Sequence, residues 1–301
     1  MKNLIILGSG RSGTSAVAGL FRHVPGIFYG YDPLQPSQGN PTGYYEDEVV
    51  NTINNILLRQ MTGVTLLDLV PSWLRPFVAR HIPWTHRDTR SLWLACPKRP
   101  LRWEMSYDVA HLVGRMARNQ PFCFKDPRFG FTLPLWRPYL PDDARFIVVF
   151  RDPVQTIRSI LRDAVELYGE RPLAVTEDWA INHWKLIHNR IFEQRAADKD
   201  GQWLFLELGS VLSGRATAAL ERFCDHKIDT VHLRPLRAYP SPQTKNELGI
   251  KEECGPLFER LCAMAETDLN GWTPGGEFAG PSTSRSAIDA RDLRRGRSAA
   301  A

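Results

Sequence analysis

Several features that would place this chain in a familiar class are missing from its 301 residues. Its five cysteines are scattered, odd in number and without a C-x-x-C pair, so neither a zinc cluster nor a disulfide framework is indicated. No apolar run is long enough to span a bilayer, and the apolar stretch near the start is too short and interrupted for a signal peptide. We therefore expect a cytoplasmic protein with reduced thiols and no membrane span.

A strong excess of charge of one sign is also missing. The formal net charge is +5, which suits an anionic ligand but does not require nucleic acid. The arginines from Arg285 to Arg297 are the exception, and we expect them to form a solvated tail or, alternatively, to touch an acidic partner. We predict no nucleic-acid partner, and nothing in the sequence indicates an oligomeric state.

Short apolar runs alternate with helical patterns along the chain. Buried strands are predicted at residues 3–7, 122–125, 146–150 and 202–208. Helices are predicted at residues 12–23, 44–60, 153–168, from about 177, and 215–224. This alternation is typical of an α/β protein, a three-layer sandwich in which helices cover both faces of a central parallel sheet.

The chain is predicted to form one domain over residues 1–273. Within it, residues 65–120 contain many tryptophans, arginines and prolines, and we expect a substrate-facing helical subregion there. Residues 274–301 contain few apolar side chains, so we expect a flexible tail.

The first predicted strand leads into the glycine-rich segment GSGRSGTS, residues 8–15. A glycine-rich turn between a strand and a helix points its backbone N–H groups inward, where an anion binds. Gly10 and Gly13 permit the close approach, and Thr14 and Ser15 add hydroxyl donors. A plain tight turn is the alternative interpretation.

The loop has no lysine at the position where ATP-binding phosphate loops carry one, and Arg11 lies inside it instead. Phosphoryl transfer from ATP gathers high charge and usually needs Mg²⁺ and that lysine. A sulfuryl group carries less charge, so backbone donors and one cation at the bridging oxygen suffice without a metal. Arg11 is predicted to be that catalytic cation, offsetting charge on the leaving oxygen. The loop therefore favours sulfuryl transfer over kinase chemistry.

A second basic motif follows the strongest predicted strand. Arg151 ends this strand and Ser159 comes eight residues later in the next helix. Both are expected at the carboxyl edge of the sheet, where open α/β folds bind ligands. Two anion sites would then border one crevice, as a nucleotide with 5′ and 3′ phosphates needs. Alternatively, Arg151 pairs with Asp152 or caps a helix.

Together these motifs resemble those of the nucleotide-dependent sulfotransferase family. GRSGTS is similar to that family's 5′-phosphosulfate loop, with Arg11 in place of the basic residue and Ser12, Gly13, Thr14 and Ser15 matching in turn. VVFRDPVQTIRS is similar to its 3′-phosphate motif through Arg151 and Ser159. KDPRFGFTLPLW and GYYEDEVVNTINNILL resemble segments of bacterial members, and the resemblance spans about residues 1–225.

The resemblance implies a P-loop NTPase-like sulfotransferase fold. It also implies 3′-phosphoadenosine 5′-phosphosulfate (PAPS) as donor, adenosine 3′,5′-bisphosphate (PAP) as product, and no metal. Ala16 stands where the cytosolic small-molecule branch has an aromatic residue that stacks on adenine, and no clear copy of that branch's Arg-Lys-Gly segment is found. The bacterial or carbohydrate-like branches fit better.

A base that removes the acceptor's hydroxyl proton helps attack on sulfur. Glu46 is the first candidate and Asp47 the second, because both follow the Pro/Gly-rich loop at the start of a helix; the alternative is that they cap that helix. Lys125, Asp126 and Arg128 follow a strand and are predicted to face the same edge. The functional interpretation is that Lys125 contacts the sulfate or that Asp126 orients a hydroxyl of the loop. The alternative is that Asp126 and Arg128 form a structural pair.

Two histidines are excluded from the predicted site. His183 and His188 are five residues apart, off the spacing of a helical metal pair, and are predicted to pack and hydrogen-bond. The predicted function is transfer of a sulfuryl group from PAPS to a hydroxyl of a carbohydrate or small-molecule natural product. The alternatives are a P-loop kinase or NTPase with Asp126 as magnesium ligand, and a non-catalytic nucleotide-binding protein.

Overall fold

The computed structural model describes residues 1–35, 43–62, 93–97, 105–168, 175–230, 233 and 246–271. The strands are β1 Leu4–Leu7, β2 Cys123–Lys125, β3 Arg145–Phe150 and β4 Gln202–Glu207. The α-helices of this part of the chain are α1 Thr14–Gly19, α2 Glu48–Thr62, α3 Tyr107–Ala117, α4 Phe129–Trp136, α5 Pro153–Tyr168, α6 Glu177–Ala197, α7 Leu208–Leu212, α8 Thr217–Cys224 and α9 Glu247–Gly271. A 3₁₀ helix, Arg137–Tyr139, follows α4.

The four strands form one parallel sheet in the order β2-β1-β3-β4. Ile6 of β1 lies opposite Lys125 of β2 and Ile147 of β3. Helices connect the parallel strands, so the prediction of an α/β fold with a central parallel sheet is confirmed. The helix that follows β1 packs on one face of the sheet, and the helix that follows β3 packs on the other. The carboxyl ends of two such neighbouring strands are where open α/β folds bind ligands.

Alternating side chains of each strand belong to two separate cores, one on each face of the sheet. Leu4 and Ile6 pack with α1, α7 and α8, whereas Ile5 and Leu7 pack with the remaining α-helices named above. These strand side chains are fully buried because both faces are covered, which is why the strands read as continuous apolar runs.

Polar side chains cap the starts of two helices. The Asp152 carboxylate accepts a hydrogen bond from the Gln155 backbone N–H at 2.9 Å, and Pro153 is the first residue of α5. Thr176 caps α6 in the same way, accepting from the Trp179 N–H at 3.2 Å.

Several helices differ from the predictions: α2 begins four residues later than predicted, and α4 and α7 were not predicted. The helix predicted at 12–23 is shorter, because Gly13 has a φ of 96° and the residues before it still belong to the turn. Helix α9 was not predicted, yet it packs against β4: the Phe205 backbone N–H donates to Asp268 Oδ2 at 2.8 Å, and Ile250 and Leu261 of α9 are fully buried.

Two of the predicted regions fall partly or wholly outside the described residues. Residues 65–92 and 98–104 of the predicted substrate-facing subregion are outside them, as are the whole of the predicted tail 274–301 and its arginines. Among the helices that are described, none is both long enough and apolar enough to cross a membrane.

Candidate functional site

The loop after β1 lies directly against β3. Gly8 has a φ of 149°, and a Cβ atom built on it would be 2.1 Å from the Val149 carbonyl oxygen. The Ser12 hydroxyl is fully buried and lies 2.6 Å from the Ser9 carbonyl oxygen and 2.8 Å from that of Val149. Ser12 therefore holds the loop in place, and only glycine fits at position 8 without moving backbone.

Arg11 connects the loop to the second motif. Its Nε donates to Ser159 Oγ at 3.1 Å, and its Nη1 lies 3.5 Å from Asp163 Oδ1. The backbone of Arg11 has a φ of 66°, the left-handed region that few non-glycine residues adopt. The two motifs, 148 residues apart in sequence, thus meet through a direct side-chain contact.

The second motif contains more arginines than the sequence analysis identified. Arg151 follows β3, and its Nε donates to Gln155 Oε1 at 2.8 Å. Ser159 is 7% exposed and also accepts a hydrogen bond from Arg162 Nη2 at 3.3 Å. Burial lowers the pKa of Arg151, and the neighbouring charges of Arg162 and Arg11 lower it further while Asp152 raises it. Arg162 was missed, although its three-residue spacing from Ser159 on one helix was visible.

A lysine at the end of a neighbouring strand lies beside the loop. Lys125 ends β2, is only 4% exposed, and donates from Nζ to Ser15 Oγ at 3.1 Å. The same Nζ pairs with Glu46 Oε1. Because β2 and β1 are adjacent parallel strands, the end of β2 lies beside the loop that follows β1.

The two candidate bases are in different situations. Glu46 is 9% exposed, and its Oε2 accepts from Asn51 Nδ2 at 3.0 Å. Asp47 is almost fully buried and caps α2: Oδ1 accepts from the backbone N–H groups of Val49 and Val50, each at 3.0 Å, and Oδ2 accepts from that of Asp32 at 2.6 Å. The geometry therefore gives Asp47 a structural role, whereas Glu46 lies next to Lys125, the lysine beside the loop.

Asp126 and Arg128 form a buried structural pair. Oδ1 of Asp126 accepts from the Arg128 backbone N–H at 2.8 Å and from its Nη1 at 3.0 Å, and Oδ2 accepts from Asn54 Nδ2 at 2.9 Å. Burial raises the pKa of Asp126 above its ordinary value, against the Arg128 charge that lowers it. Both carboxylate oxygens are used by protein donors, which does not favour Asp126 as a magnesium ligand. Sequence reasoning missed Asn54, whose Oδ1 also accepts from Trp136.

Trp93 lies against the loop from the other side. A Cβ atom built on Gly10 would be 2.2 Å from Cε3 of Trp93, so the indole ring covers that glycine. The segment 93–97 is anchored on α6, because Trp179 Nε1 donates to the Leu94 carbonyl at 3.0 Å and His183 Nδ1 bonds the Ala95 carbonyl at 3.0 Å.

The two histidines of α6 are packed, as the sequence predicted. His183 and His188 are fully buried, and His188 Nδ1 bonds the Trp184 carbonyl at 2.8 Å. Burial lowers the pKa of each to about 4, so both rings are neutral near pH 7.

Comparison with known proteins was consistent with this geometry. A family model described as "Sulfotransferase family" matches residues 3–226, close to the predicted span of the resemblance. No curated protein matches the chain. Similar solved structures include the sulfotransferase domain from the Synechococcus PCC 7002 olefin synthase, 14% identical over 92% of this chain and 91% of that one, with a TM-score of 0.40.

Two other solved structures are similar to a comparable degree. The sulfotransferase domain from the curacin biosynthetic pathway is 14% identical over 83% of this chain and 82% of that one, with a TM-score of 0.44. A sulfotransferase from Mycobacterium avium is 12% identical over 86% of this chain and 76% of that one, with a TM-score of 0.45.

Proposed function

This chain belongs to the sulfotransferase family, and from that premise we propose that it transfers a sulfuryl group from PAPS to a hydroxyl of an acceptor molecule. One contact carries the proposal: Arg11 of the first motif donates to Ser159 of the second. The two motifs predicted to bind anions therefore lie side by side at the carboxyl ends of β1 and β3. A donor with negative groups at its 5′ and 3′ ends needs two such sites side by side.

The 5′-phosphosulfate is assigned to the loop. The residues that would hold it are Gly10, Arg11, Ser12, Gly13, Thr14 and Ser15, mainly through backbone N–H groups. Lys125 lies beside the Ser15 hydroxyl and is the cation best placed to offset charge on the bridging oxygen as its bond to sulfur breaks. Arg11 joins the loop to the second motif, where Arg151 and Ser159 are assigned to the 3′-phosphate. No step in this scheme requires a metal.

Glu46 is assigned the role of base. In the transfer step, the acceptor oxygen forms a bond to sulfur, the bond from sulfur to the bridging oxygen breaks, and the hydroxyl proton passes to the Glu46 carboxylate; PAP leaves. The ion pair between Glu46 and Lys125 supports this assignment, because it holds the base next to the cation that lies beside the loop. Asp47, with its carboxylate engaged by backbone donors, is assigned to holding the start of α2.

The acceptor is assigned to the side of the loop covered by Trp93. This ring is partly buried and lies against Gly10, so it offers an aromatic wall next to the transferring group. A flat apolar wall suits the face of a sugar or another ring-bearing alcohol.

We also propose that residues 1–273 form one domain. Helix α9 lies beyond the residues matched by the family, yet its apolar side chains belong to the same core as β4 and α6.

Calorimetric titration with PAP tests the second motif. Replacing Arg151 and Ser159 together by alanine is expected to weaken binding by at least about a hundredfold, because two donors to a charged group are lost. Arg190→Ala is the control, since this arginine of α6 pairs with Glu193 on the same helix. Unchanged binding in the double variant would remove the 3′-phosphate assignment.

A screen of hydroxyl acceptors with radiolabelled PAPS tests the reaction. For any acceptor found, Glu46→Gln is expected to lower the transfer rate by about 10²–10⁴ while donor affinity stays within a few-fold, as removal of a general base does. Full transfer activity in Glu46→Gln would show that another group takes the proton.

A further inference from the structure

We propose that Arg162 is a third ligand of the 3′-phosphate, and that Arg11, Arg151 and Arg162 form a guanidinium clamp that selects nucleotides phosphorylated at the 3′ position. This inference rests on the proposed function, because it takes the crevice around Ser159 to be the site of that phosphate. It adds a residue, and a source of selectivity, that neither the motifs nor the family match identifies.

The hydroxyl of Ser159 is the centre of the clamp. Its Oγ accepts hydrogen bonds from Arg11 Nε at 3.1 Å and from Arg162 Nη2 at 3.3 Å. A serine hydroxyl that accepts two N–H bonds still has one proton to donate. An anion is the partner that matches this arrangement, since it can accept from the hydroxyl and from both guanidinium groups at once.

The third arginine completes the cluster. Arg151 uses its Nε to hold Gln155, and a guanidinium group has four further N–H donors. Gln155, Ser159 and Arg162 lie four and three residues apart on α5 and so share one face of that helix, which places the Arg151 guanidinium on the same side as the other two. In line with this placement, the charges of Arg162 and Arg11 act to lower the pKa of Arg151. A bound phosphate would relieve the repulsion between these charges, and the planar fork of each arginine matches its oxygens.

Acidic neighbours are also present, but most have other hydrogen bonds. Asp152 accepts from the Gln155 N–H at the start of α5, and Glu207 accepts from the Ser210 N–H at the start of α7, each through its carboxylate. Asp163 directly contacts the cluster, with Oδ1 3.5 Å from Arg11 Nη1. The negative charges of Asp152 and Glu207 act to raise the pKa of Arg151, so these carboxylates limit the cost of gathering three cations.

The test compares two nucleotides that differ in one group. Titration calorimetry would measure the affinity of wild type, Arg162→Met and Arg162→Lys for PAP and for adenosine 5′-monophosphate. Methionine keeps most of the side-chain volume and removes the charge, whereas lysine keeps the charge and removes the fork. Arg190→Met, at the arginine paired with Glu193 on α6, is the matched control.

We expect Arg162→Met to bind PAP about tenfold to a hundredfold more weakly, the loss of one hydrogen bond to a charged group, and the monophosphate within about twofold of wild type. Arg162→Lys should retain part of the preference for PAP, and Arg190→Met all of it. Should Arg162→Met fail to fold, a several-fold loss of this preference in Arg162→Lys would carry the same meaning.

Two results would overturn the inference. Equal weakening of both nucleotides would show that Arg162 only supports the fold, and an unchanged preference for PAP would show that Arg162 does not contact the 3′-phosphate. If the wild-type protein itself binds both nucleotides equally, the proposed function fails as well. The outcomes for the function and for the clamp are therefore distinguishable.

Discussion

The buried histidines of α6 predict how the stability of the protein depends on pH. His183 and His188 are fully buried, and burial lowers the pKa of each from 6.5 to about 4. In the unfolded chain they titrate near 6.5, so between these values the unfolded state binds more protons than the folded one. The free energy of unfolding is therefore highest above about pH 7 and decreases as the pH falls towards 4.

The size of this loss follows from the two pKa values. At pH 5, each histidine reduces the free energy of unfolding by about 2 kcal/mol, and the pair by about 4 kcal/mol, relative to neutral pH. Asp268 has the opposite effect on the free energy of unfolding. Burial raises its pKa from 3.8 to about 6, so between these values the folded state binds more protons than the unfolded one, and the free energy of unfolding rises as the pH falls. Its contribution at pH 5 is about 1.4 kcal/mol in the other direction, so these three groups together give a loss of roughly 2–3 kcal/mol.

Urea denaturation followed by circular dichroism, at pH 7 and pH 5, measures the effect. Wild type is compared with a double variant, His183→Asn with His188→Asn, in which asparagine keeps an N–H donor near the position of Nδ1 and removes the titrating ring. Because Asp268 is common to both proteins, wild type should lose about 4 kcal/mol more than the double variant between the two pH values. His111→Asn, at an exposed residue of α3, is the control. Equal losses in wild type and the double variant would refute the reasoning.

Two further substitutions test how the site is built. Lys125→Met removes the closer of the two cations that pair with the buried Glu46 carboxylate and leaves Arg128 Nη1 at 3.9 Å, so urea denaturation should show a loss of up to about 3 kcal/mol. Adding Glu46→Gln to that variant should restore part of the loss, and strictly additive effects would argue against a coupled pair. Gly8→Ala should cost about 2 kcal/mol or more and weaken PAP binding, because its Cβ would lie 2.1 Å from the Val149 carbonyl oxygen. Gly26→Ala, also at positive φ but with open space around it, isolates backbone strain, and a similar loss of nucleotide affinity there would contradict a specific role for the close contact.

Much of the fold was predictable because buried parallel strands are written into the sequence as short apolar runs. The predicted strands at 3–7, 122–125, 146–150 and 202–208 match β1 to β4 within one residue at each end. Helix α9 was harder to predict, because Gly249, Gly255 and Pro256 lie inside it, and a proline within a helical pattern normally indicates that the helix ends there. The order of the strands follows from long-range pairing, which no local pattern contains.

The candidate site was predictable where a motif is continuous in sequence. The loop of residues 8–15 and the pair Arg151 and Ser159 were identified from spacing alone, and the structure brings the two motifs into contact. Trp93 and Asn54 were missed, because each acts through a partner distant in sequence. Their roles depend on which segments lie side by side in the folded chain.

By itself, the sequence determined the α/β class, the glycine loop, the arginine and serine after β3, and the family resemblance, because these depend on residues close together along the chain. Only the tertiary structure decided that Lys125 lies beside the glycine loop, that Arg11 reaches Ser159, and that Asp47 caps a helix. The physical reason is that a parallel sheet aligns the carboxyl ends of strands far apart in sequence. A charge on one strand can therefore serve a loop on another.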